Sequence, residues 1–238
     1  MAGFCALLSH FAHELKTPLH SISSVASVLA AEIDGKLSDQ QKRQVAIIQS
    51  STELLQEFVQ ELLETGSLTT GAKALRVTTF DVRAELGVII ASLRHLAEQK
   101  GVALSEDLAR LPQSFSSDVT LLRKVVNNLV SNAIKYSPKG GKVWLQGEKA
   151  ANNSIVLYVA DTGWGIPFAE QGQVFEDGYR VKSQVKHCSE EGSGFGLFLV
   201  RAAIERLGGS IELRSELNQG AIFVVTIPGS ATAKSAKQ

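Results

Sequence analysis

Two unbroken apolar seams near the start of the chain constrain its fold most. In the first, Leu8, Phe11, Leu15, Leu19, Ile22, Ala26, Leu29 and Ile33 follow at steps of three or four. In the second, Val45, Ile48, Thr52, Leu55, Val59 and Leu62 alternate in the same way. Each seam is a narrow helical stripe of the coiled-coil kind. Asp34-Gly35 ends the first helix, and Ser38-Asp39-Gln40-Gln41 offers a capping box for the second. A hairpin of two such helices cannot enclose a core by itself, whereas two hairpins make a four-helix bundle. The pattern therefore predicts a homodimer.

Within the first helix, His13 lies about 200° round the axis from both Phe11 and Leu15, so it points away from the seam. Glu14 stands beside it and Thr17 one turn later. Pro18 removes the hydrogen bond to the Glu14 carbonyl and is expected to bend the helix. A lone exposed histidine is most often just a solvated side chain. Its setting beside a carboxylate at a proline kink suggests chemistry instead. His13-Glu14-Leu15-Lys16-Thr17-Pro18 resembles the phosphoacceptor box of sensor histidine kinases. His10 and His20 are the rivals, and neither is followed by the acidic-x-x-Thr-Pro run.

The chain has 238 residues, enough for one large domain or for a small and a medium one, with 44% hydrophobic and 20% charged residues. Its 24 basic and 24 acidic residues cancel, so no global field draws it to nucleic acid or anionic membrane. No apolar run approaches the ~18 residues of a membrane span. The cysteines, Cys5 and Cys188, are too few for a disulfide framework, which fits a reducing, cytoplasmic compartment. Cys188 follows His187, but no further ligands stand nearby to complete a metal site.

Beyond the second helix, Thr65-Gly66-Ser67-Leu68-Thr69-Thr70-Gly71 is polar and turn-rich. The expected division is a dimerisation and phosphoacceptor domain over 1–66, a linker over 67–76, a mixed α and β domain over 77–229 and a disordered tail over 230–238. In the second domain the pattern predicts a short strand leading into a helix over 80–100, a strand over 102–108, and a long helix from the Asp118 cap to Tyr136. Strands over 142–149 and 154–160 should form a hairpin across Asn152-Asn153. A helix over 196–207 stops at Gly208-Gly209, and a last hairpin, 210–216 with 221–227, turns at Asn218-Gln219-Gly220.

Three stretches here carry chemistry. Asn128, Asn132 and Lys135 share one helix face, where amide oxygens beside a cation suit Mg²⁺ and phosphates. Asp161-Thr162-Gly163-Trp164-Gly165-Ile166 follows a strand; the Asp can accept an amino hydrogen while glycine backbone approaches a flat ring. Gly192-Ser193-Gly194-Phe195-Gly196-Leu197 opens a helix, where N–H groups can meet phosphate. The last is neither a Walker loop nor a Rossmann fingerprint. Each alone is a common surface pattern or turn.

Together and in this order they resemble the N, G1 and G2 boxes of the Bergerat ATP-binding fold, an α/β sandwich. Val174-Phe175-Glu176 with Tyr179-Arg180 resembles its F box. The resemblance to a histidine kinase core thus spans nearly the whole chain, and no essential residue is missing from it. It implies ATP and Mg²⁺ as cofactors, with Asn132 the principal metal ligand and Asn128 near the metal and phosphates. It further implies that Lys135, Tyr136 and Arg180 address the phosphates and that Asp161 binds the adenine amino group. Gly163, Gly165, Ile166, Phe175, Gly192, Ser193, Gly194, Gly196 and Leu197 complete the nucleotide site, with Trp164 packed near the adenine. Residues 168–191 would form a lid.

By the same likeness His13 receives the γ-phosphoryl group, Glu14 hydrogen-bonds its other ring nitrogen, and Thr17 orients water for dephosphorylating the partner. That partner is a response-regulator receiver domain. An input domain is expected upstream and could be membrane-anchored; no nucleic-acid or membrane contact is expected of this segment. Two rivals remain: a dimeric regulatory module that uses ATP only as a switch, and another Bergerat ATPase. The second would need a catalytic glutamate near Asn128 and no His13 box.

Overall fold

A computed structural model describes residues 2–33, 35–69, 74–181 and 194–229; of residues 2–14, 53, 54, 57, 58 and 60–69 it describes the backbone alone. The chain divides into a helical unit up to Lys73 and an α/β unit from Ala74. The tail over 230–238 lies outside the described residues.

The helical unit is an antiparallel hairpin of α1 (Ala2–Ala30) and α2 (Asp39–Thr69). α1 continues through Pro18, so the proline does not end it. The capping box forms reciprocally: the Gln41 N–H donates to Ser38 Oγ at 3.3 Å, and the Ser38 N–H donates to Gln41 Oε1 at 2.9 Å. In the connection, Glu32 Oε1 accepts from Lys42 Nζ at 2.8 Å and from the Leu37 N–H at 3.0 Å.

Within the hairpin the two alternating positions of each seam are not equivalent. Leu19 and Ala26 of α1, a heptad apart, are buried, as are Val45, Thr52 and Val59 of α2. Leu15, Ile22 and Leu29, the intervening positions, are about half exposed, and so are Ile48 and Leu55. Thr52 occupies its buried position by donating its hydroxyl to the Ile48 carbonyl at 2.7 Å. One half of each seam thus joins the hairpin, and the other half is left with apolar side chains in water.

The α/β unit runs β1 (Thr78–Asp81), α3 (Val82–Lys100), β2 (Ala103–Arg110), β3 (Ser114–Ser117), α4 (Val119–Tyr136), β4 (Lys142–Lys149), β5 (Ser154–Asp161), α5 (Gly196–Arg206), β6 (Ser210–Glu216) and β7 (Gly220–Pro228). Five strands form a sheet in the order β2-β4-β5-β7-β6, in which only β2 and β4 are parallel. Helices α3, α4 and α5 cover one face, burying Val143 and Leu145, Ile155, Leu157 and Val159, and Val225 and Ile227. The alternate side chains, among them Trp144 and Ile222, remain partly exposed on the other face. This is the two-layer sandwich that the sequence implies.

The β4–β5 hairpin turns through Asn152 and Asn153, both at positive φ (54° and 57°), a conformation that asparagine tolerates better than most side chains. β3 is absent from the sequence reading. Its Ser114-Phe115-Ser116-Ser117 is too short and polar to signal a strand, and it forms by pairing with β1 across 37 residues, where Thr79 Oγ1 and Ser116 Oγ lie 2.7 Å apart. The parallel β2–β4 pairing is equally illegible locally. Gly147 permits it to be covered closely: a Cβ there would stand 2.6 Å from Leu111 Cδ1. Among the described residues no helix is long and apolar enough to cross a membrane.

Asp118 joins the start of the unit to its central helix. Its Oδ1 caps α4 by accepting from the Thr120 and Leu121 N–H groups at 3.0 and 3.2 Å, and its Oδ2 accepts from the Arg76 N–H at 2.9 Å. Replacement Asp118→Ala leaves these donors without that acceptor in a buried place and is expected to lower stability by about 1–3 kcal/mol. Urea unfolding of the nucleotide-free protein checks this, and Asp118→Asn should lose less.

Candidate functional site

The site grows around the C-terminal half of α4. Its apolar residues Val125, Val126, Leu129, Val130, Ala133 and Ile134 are buried against the sheet and α5. Asn128, Asn132 and Lys135 therefore share the half-buried flank at the helix spacing. Asn128 Nδ2 donates to the Lys124 carbonyl at 3.0 Å, which turns Oδ1 outward from the helix. Gly196, the first residue of α5, lies over this face. A Cβ on it would stand 3.1 Å from Asn128 Oδ1 and 3.6 Å from Asn132 Nδ2. Two stretches separated by some sixty residues in sequence are thereby brought together, with the N–H groups at the start of α5 near two amide side chains.

The second gathering is at the C-terminal end of α4. A Cβ on Gly163 would stand 2.5 Å from the Tyr136 carbonyl oxygen, and the Trp164 N–H donates to that same oxygen at 3.2 Å. The Asp161–Ile166 turn is thus held against the end of α4. Lys135 Nζ lies 5.7 Å from the centre of the Tyr136 ring, a cation–π arrangement. Lys100 Nζ donates to the Lys135 carbonyl. Trp164 is half-buried and Ile166 is buried.

Asp161 is the last residue of β5. Its Oδ1 accepts from the Gly163 N–H at 2.7 Å and from the Ala221 N–H at 3.3 Å, so both bonds fall on one oxygen. Burial of the carboxylate pushes its pKa up to about 6, against the pull of those two N–H groups. A half-buried carboxylate whose Oδ1 takes two backbone N–H groups is suited to accept an amino hydrogen at its Oδ2.

The F-box stretch packs by Phe175, which meets Phe223 of β7 edge to face at 6.3 Å, and by buried Val174 and Val181. Arg180 is exposed between them. Gly194 adopts φ 80°, and a Cβ there would stand 2.8 Å from the carbonyl carbon and oxygen of Gly178. The need for glycine at this position thus comes from the F-box backbone and from φ, in addition to any phosphate. Leu197 is half-buried in the first turn of α5.

Several expected residues escape this description. Gly192 and Ser193 lie outside the described residues, as does the expected lid beyond Val181. His13 and Glu14 sit in the backbone of α1, with their side chains undescribed, and Thr17 is exposed. Conversely, Ser215 and Gln171 carry structural duties that the sequence reading overlooks. Ser215 Oγ accepts from the Ile166 N–H at 2.8 Å and donates to the Gly220 carbonyl at 2.7 Å. Gln171 Nε2 donates to the Ile166 and Ser215 carbonyls at 2.9 and 2.8 Å. These bonds span up to 49 residues, and no local pattern announces them.

The residues gathered here fit a nucleotide. Four glycines, at 163, 165, 194 and 196, stand where a Cβ would meet backbone or the two asparagines. Among the described residues no three His, Cys, Asp or Glu cluster as a metal site. The amide oxygens of Asn128 and Asn132 on the α4 flank are of the hard type that a magnesium–phosphate complex accepts.

Comparison with known proteins follows the same division. Residues 117–231 match the family model of histidine kinase-, DNA gyrase B- and HSP90-like ATPases, and residues 5–71 match that of the His Kinase A (phospho-acceptor) domain. The sensor-like histidine kinase R01002 of Rhizobium meliloti (strain 1021) is 34% identical over 97% of this chain and 44% of its own length. The circadian input-output histidine kinase CikA of Synechococcus elongatus is 31% identical over 93% of this chain and 29% of its own. The chain thus spans less than half the length of these two relatives. The crystal structure of full-length ShkA in complex with AMPPNP superposes with a TM-score of 0.78 at 26% identity, over 96% of this chain and 46% of that one. Acinetobacter baumannii histidine kinase AdeS shares the fold, with a TM-score of 0.64 at 20% identity over 92% of this chain and 98% of that one. The two family matches follow each other along one chain in the order of its helical and α/β units, and the chain belongs to the sensor histidine kinases as their catalytic core.

Proposed function

We propose that this chain is an ATP-dependent protein histidine kinase that phosphorylates its own His13 and passes the phosphoryl group to a response-regulator aspartate. The observation that carries the reading is the convergence of Gly196 on Asn128 and Asn132, in a chain whose helical unit bears the His13 box. In the autokinase step a ring nitrogen of His13 attacks the γ-phosphorus of ATP. An N–P bond forms, the bond to the β–γ bridging oxygen breaks, and ADP leaves with that oxygen. Glu14 accepts the hydrogen bond of the other ring nitrogen and so stabilises the positive charge that grows on the imidazole. Asn132 and Asn128 are assigned to Mg²⁺, which offsets phosphate charge when bound. Lys135, Tyr136 and Arg180 are assigned to the phosphates, and Asp161 to the adenine amino group. Positioning and electrostatics supply most of the rate in such transfers. Thr17, exposed beyond the histidine, is assigned to regulator dephosphorylation. The expected domain bounds, 1–66 and 77–229 with a linker between, belong to the same reading.

Incubation with γ-labelled ATP and Mg²⁺ is expected to give an acid-labile, base-stable label. Replacement His13→Ala should abolish it while leaving ATP affinity nearly intact, because His13 and the nucleotide residues lie on separate units. Label that persists in this variant, or moves to His10 or His20, contradicts the assignment.

The half-exposed seam supports a homodimer, with Leu15, Ile22, Leu29, Ile48 and Leu55 buried against a second hairpin. Leu55 is 49% exposed and Val59 3%, so Leu55 is the side chain left for a second copy, while Val59 serves the hairpin itself. Paired replacement of Ile48 and Leu55 by Glu is expected to yield a folded monomer by light scattering and circular dichroism. Each buried apolar side chain is worth roughly 1.5–3 kcal/mol. A wild-type chain that is monomeric at micromolar concentration refutes the bundle.

Asp161 makes a prediction with a sign. Its folded pKa, about 6, exceeds the ordinary 3.8, so the folded state holds the proton more tightly than the unfolded one. The destabilisation is absent below 3.8, grows between 3.8 and about 6, and is fully present above. Asp161→Asn keeps an oxygen for the Gly163 and Ala221 N–H groups and should raise the melting temperature of nucleotide-free protein at neutral pH. That gain should vanish as pH falls towards 4. The same variant turns an NH₂ group towards the adenine amino group and should weaken ATP binding at least about tenfold. In the wild type, ATP affinity should fall as pH drops below about 6.

A further inference from the structure

Between the 3₁₀ turn Phe168–Glu170 and Arg180 the chain makes a loop whose ends meet. Tyr179 OH donates to Glu170 Oε2 at 2.7 Å, and this bond holds the phenol pKa above its usual range. Both ends of the loop are anchored independently. On the Glu170 side, the Glu170 N–H donates to the Pro167 carbonyl at 2.9 Å, and neighbouring Gln171 bonds the Ile166 and Ser215 carbonyls at the sheet edge. On the Tyr179 side, the backbone of Gly178 and Tyr179 is packed so closely on Gly194 that a Cβ would meet both. Buried Val174 and the Phe175–Phe223 contact pin the middle. Arg180 emerges directly after Tyr179, and Val181 returns to the core. The arginine backbone is therefore bounded by a hydrogen-bonded residue on one side and a buried one on the other.

We propose that the Tyr179–Glu170 hydrogen bond is a clasp that aims Arg180 at the terminal phosphate of the bound nucleotide, making Tyr179 and Glu170 positioning residues. The proposal rests on the assignment of Arg180 to the phosphates. Neither side chain needs to touch the nucleotide. Their bond removes freedom from the backbone one residue before the arginine, so the cost of ordering Arg180 over the phosphates is met before the ligand arrives. The function of this bond is invisible in a stability measurement alone, because the loop remains anchored by Val174, Phe175 and the Gly194 contact.

The test is calorimetric binding to the full chain of the Mg²⁺ complexes of a non-hydrolysable imido analogue of ATP and of ADP, with melting temperatures measured alongside. Tyr179→Phe removes the hydroxyl alone. It is expected to weaken the ATP analogue about five- to tenfold and ADP less than about twofold. Glu170→Gln retains an acceptor oxygen and should restore most of the discrimination, whereas Glu170→Ala should match Tyr179→Phe. The double variant Tyr179→Phe with Glu170→Ala should lose little beyond either single change, the mark of one shared interaction. Additive losses in the double variant, or equal weakening of both nucleotides by Tyr179→Phe, overturn the clasp. Arg180→Ala separates the two layers of the claim. If it weakens the analogue while Tyr179→Phe binds like wild type, the clasp fails and the phosphate assignment stands. If Arg180→Ala binds like wild type, the phosphate assignment fails and takes the clasp with it.

Discussion

A Cβ atom on Gly165 would stand 1.9 Å from the Glu216 carbonyl oxygen, and one on Gly220 would stand 1.9 Å from the Asp161 carbonyl oxygen. Both glycines have positive φ, 65° and 87°, so neither position tolerates a side chain on steric or conformational grounds. Through these two contacts the Asp161–Ile166 turn and the β6–β7 hairpin become one wall. The Asp161 carboxylate then receives the Ala221 N–H from that hairpin as well as the Gly163 N–H from its own turn. Ser215 and Gln171 bond the same two segments from the side. This backbone-to-backbone closeness sets where the Asp161 carboxylate points.

The price of that arrangement is a carboxylate held where ionisation is unfavourable. Two backbone N–H groups do not outweigh the burial, and the pKa settles near 6. Such a conflict between local stability and geometry is what a binding site carries before its ligand is present. The helical unit has a conflict of the same kind in a different form. Its seams bury Leu19, Val45 and Val59 but leave Ile22, Leu29, Ile48 and Leu55 partly in water. Among the described residues, one unit leaves apolar side chains partly exposed and the other holds a carboxylate whose pKa burial has raised.

The glycine turns and asparagines are spread over some seventy residues, yet their packing is mutual. Gly196 leaves room for the amide groups of Asn128 and Asn132, and Gly194 admits the backbone carbonyls of Gly178 and Tyr179 where a Cβ would collide with them. A substitution at one of these positions is therefore felt at another, and the F-box segment with Arg180 is mechanically linked to the start of α5. Hydrogen bonds such as Tyr179–Glu170 add direction to contacts that glycine packing leaves permissive.

The sequence by itself determined the helical seams, the capping boxes, the Asn-Asn and Gly-Gly turns, the Asp118 cap and the order of the chemical stretches. Each of these is a local relation, set by a period or a backbone preference within a few residues, and Ser38 with Gln41 behaves as its spacing requires. The tertiary structure alone decided that β3 pairs with β1, that β2 runs parallel to β4, and that Leu55 and Val59 have opposite surroundings despite sharing one seam. It also decided the Asp161 environment and the duties of Ser215, Gln171 and Tyr179. The Tyr179–Glu170 bond joins residues 9 apart, the Ile166–Ser215 bond residues 49 apart and the Ala221–Asp161 bond residues 60 apart. A periodic pattern reports which face of an element is apolar; it carries no record of which distant backbone that face will meet.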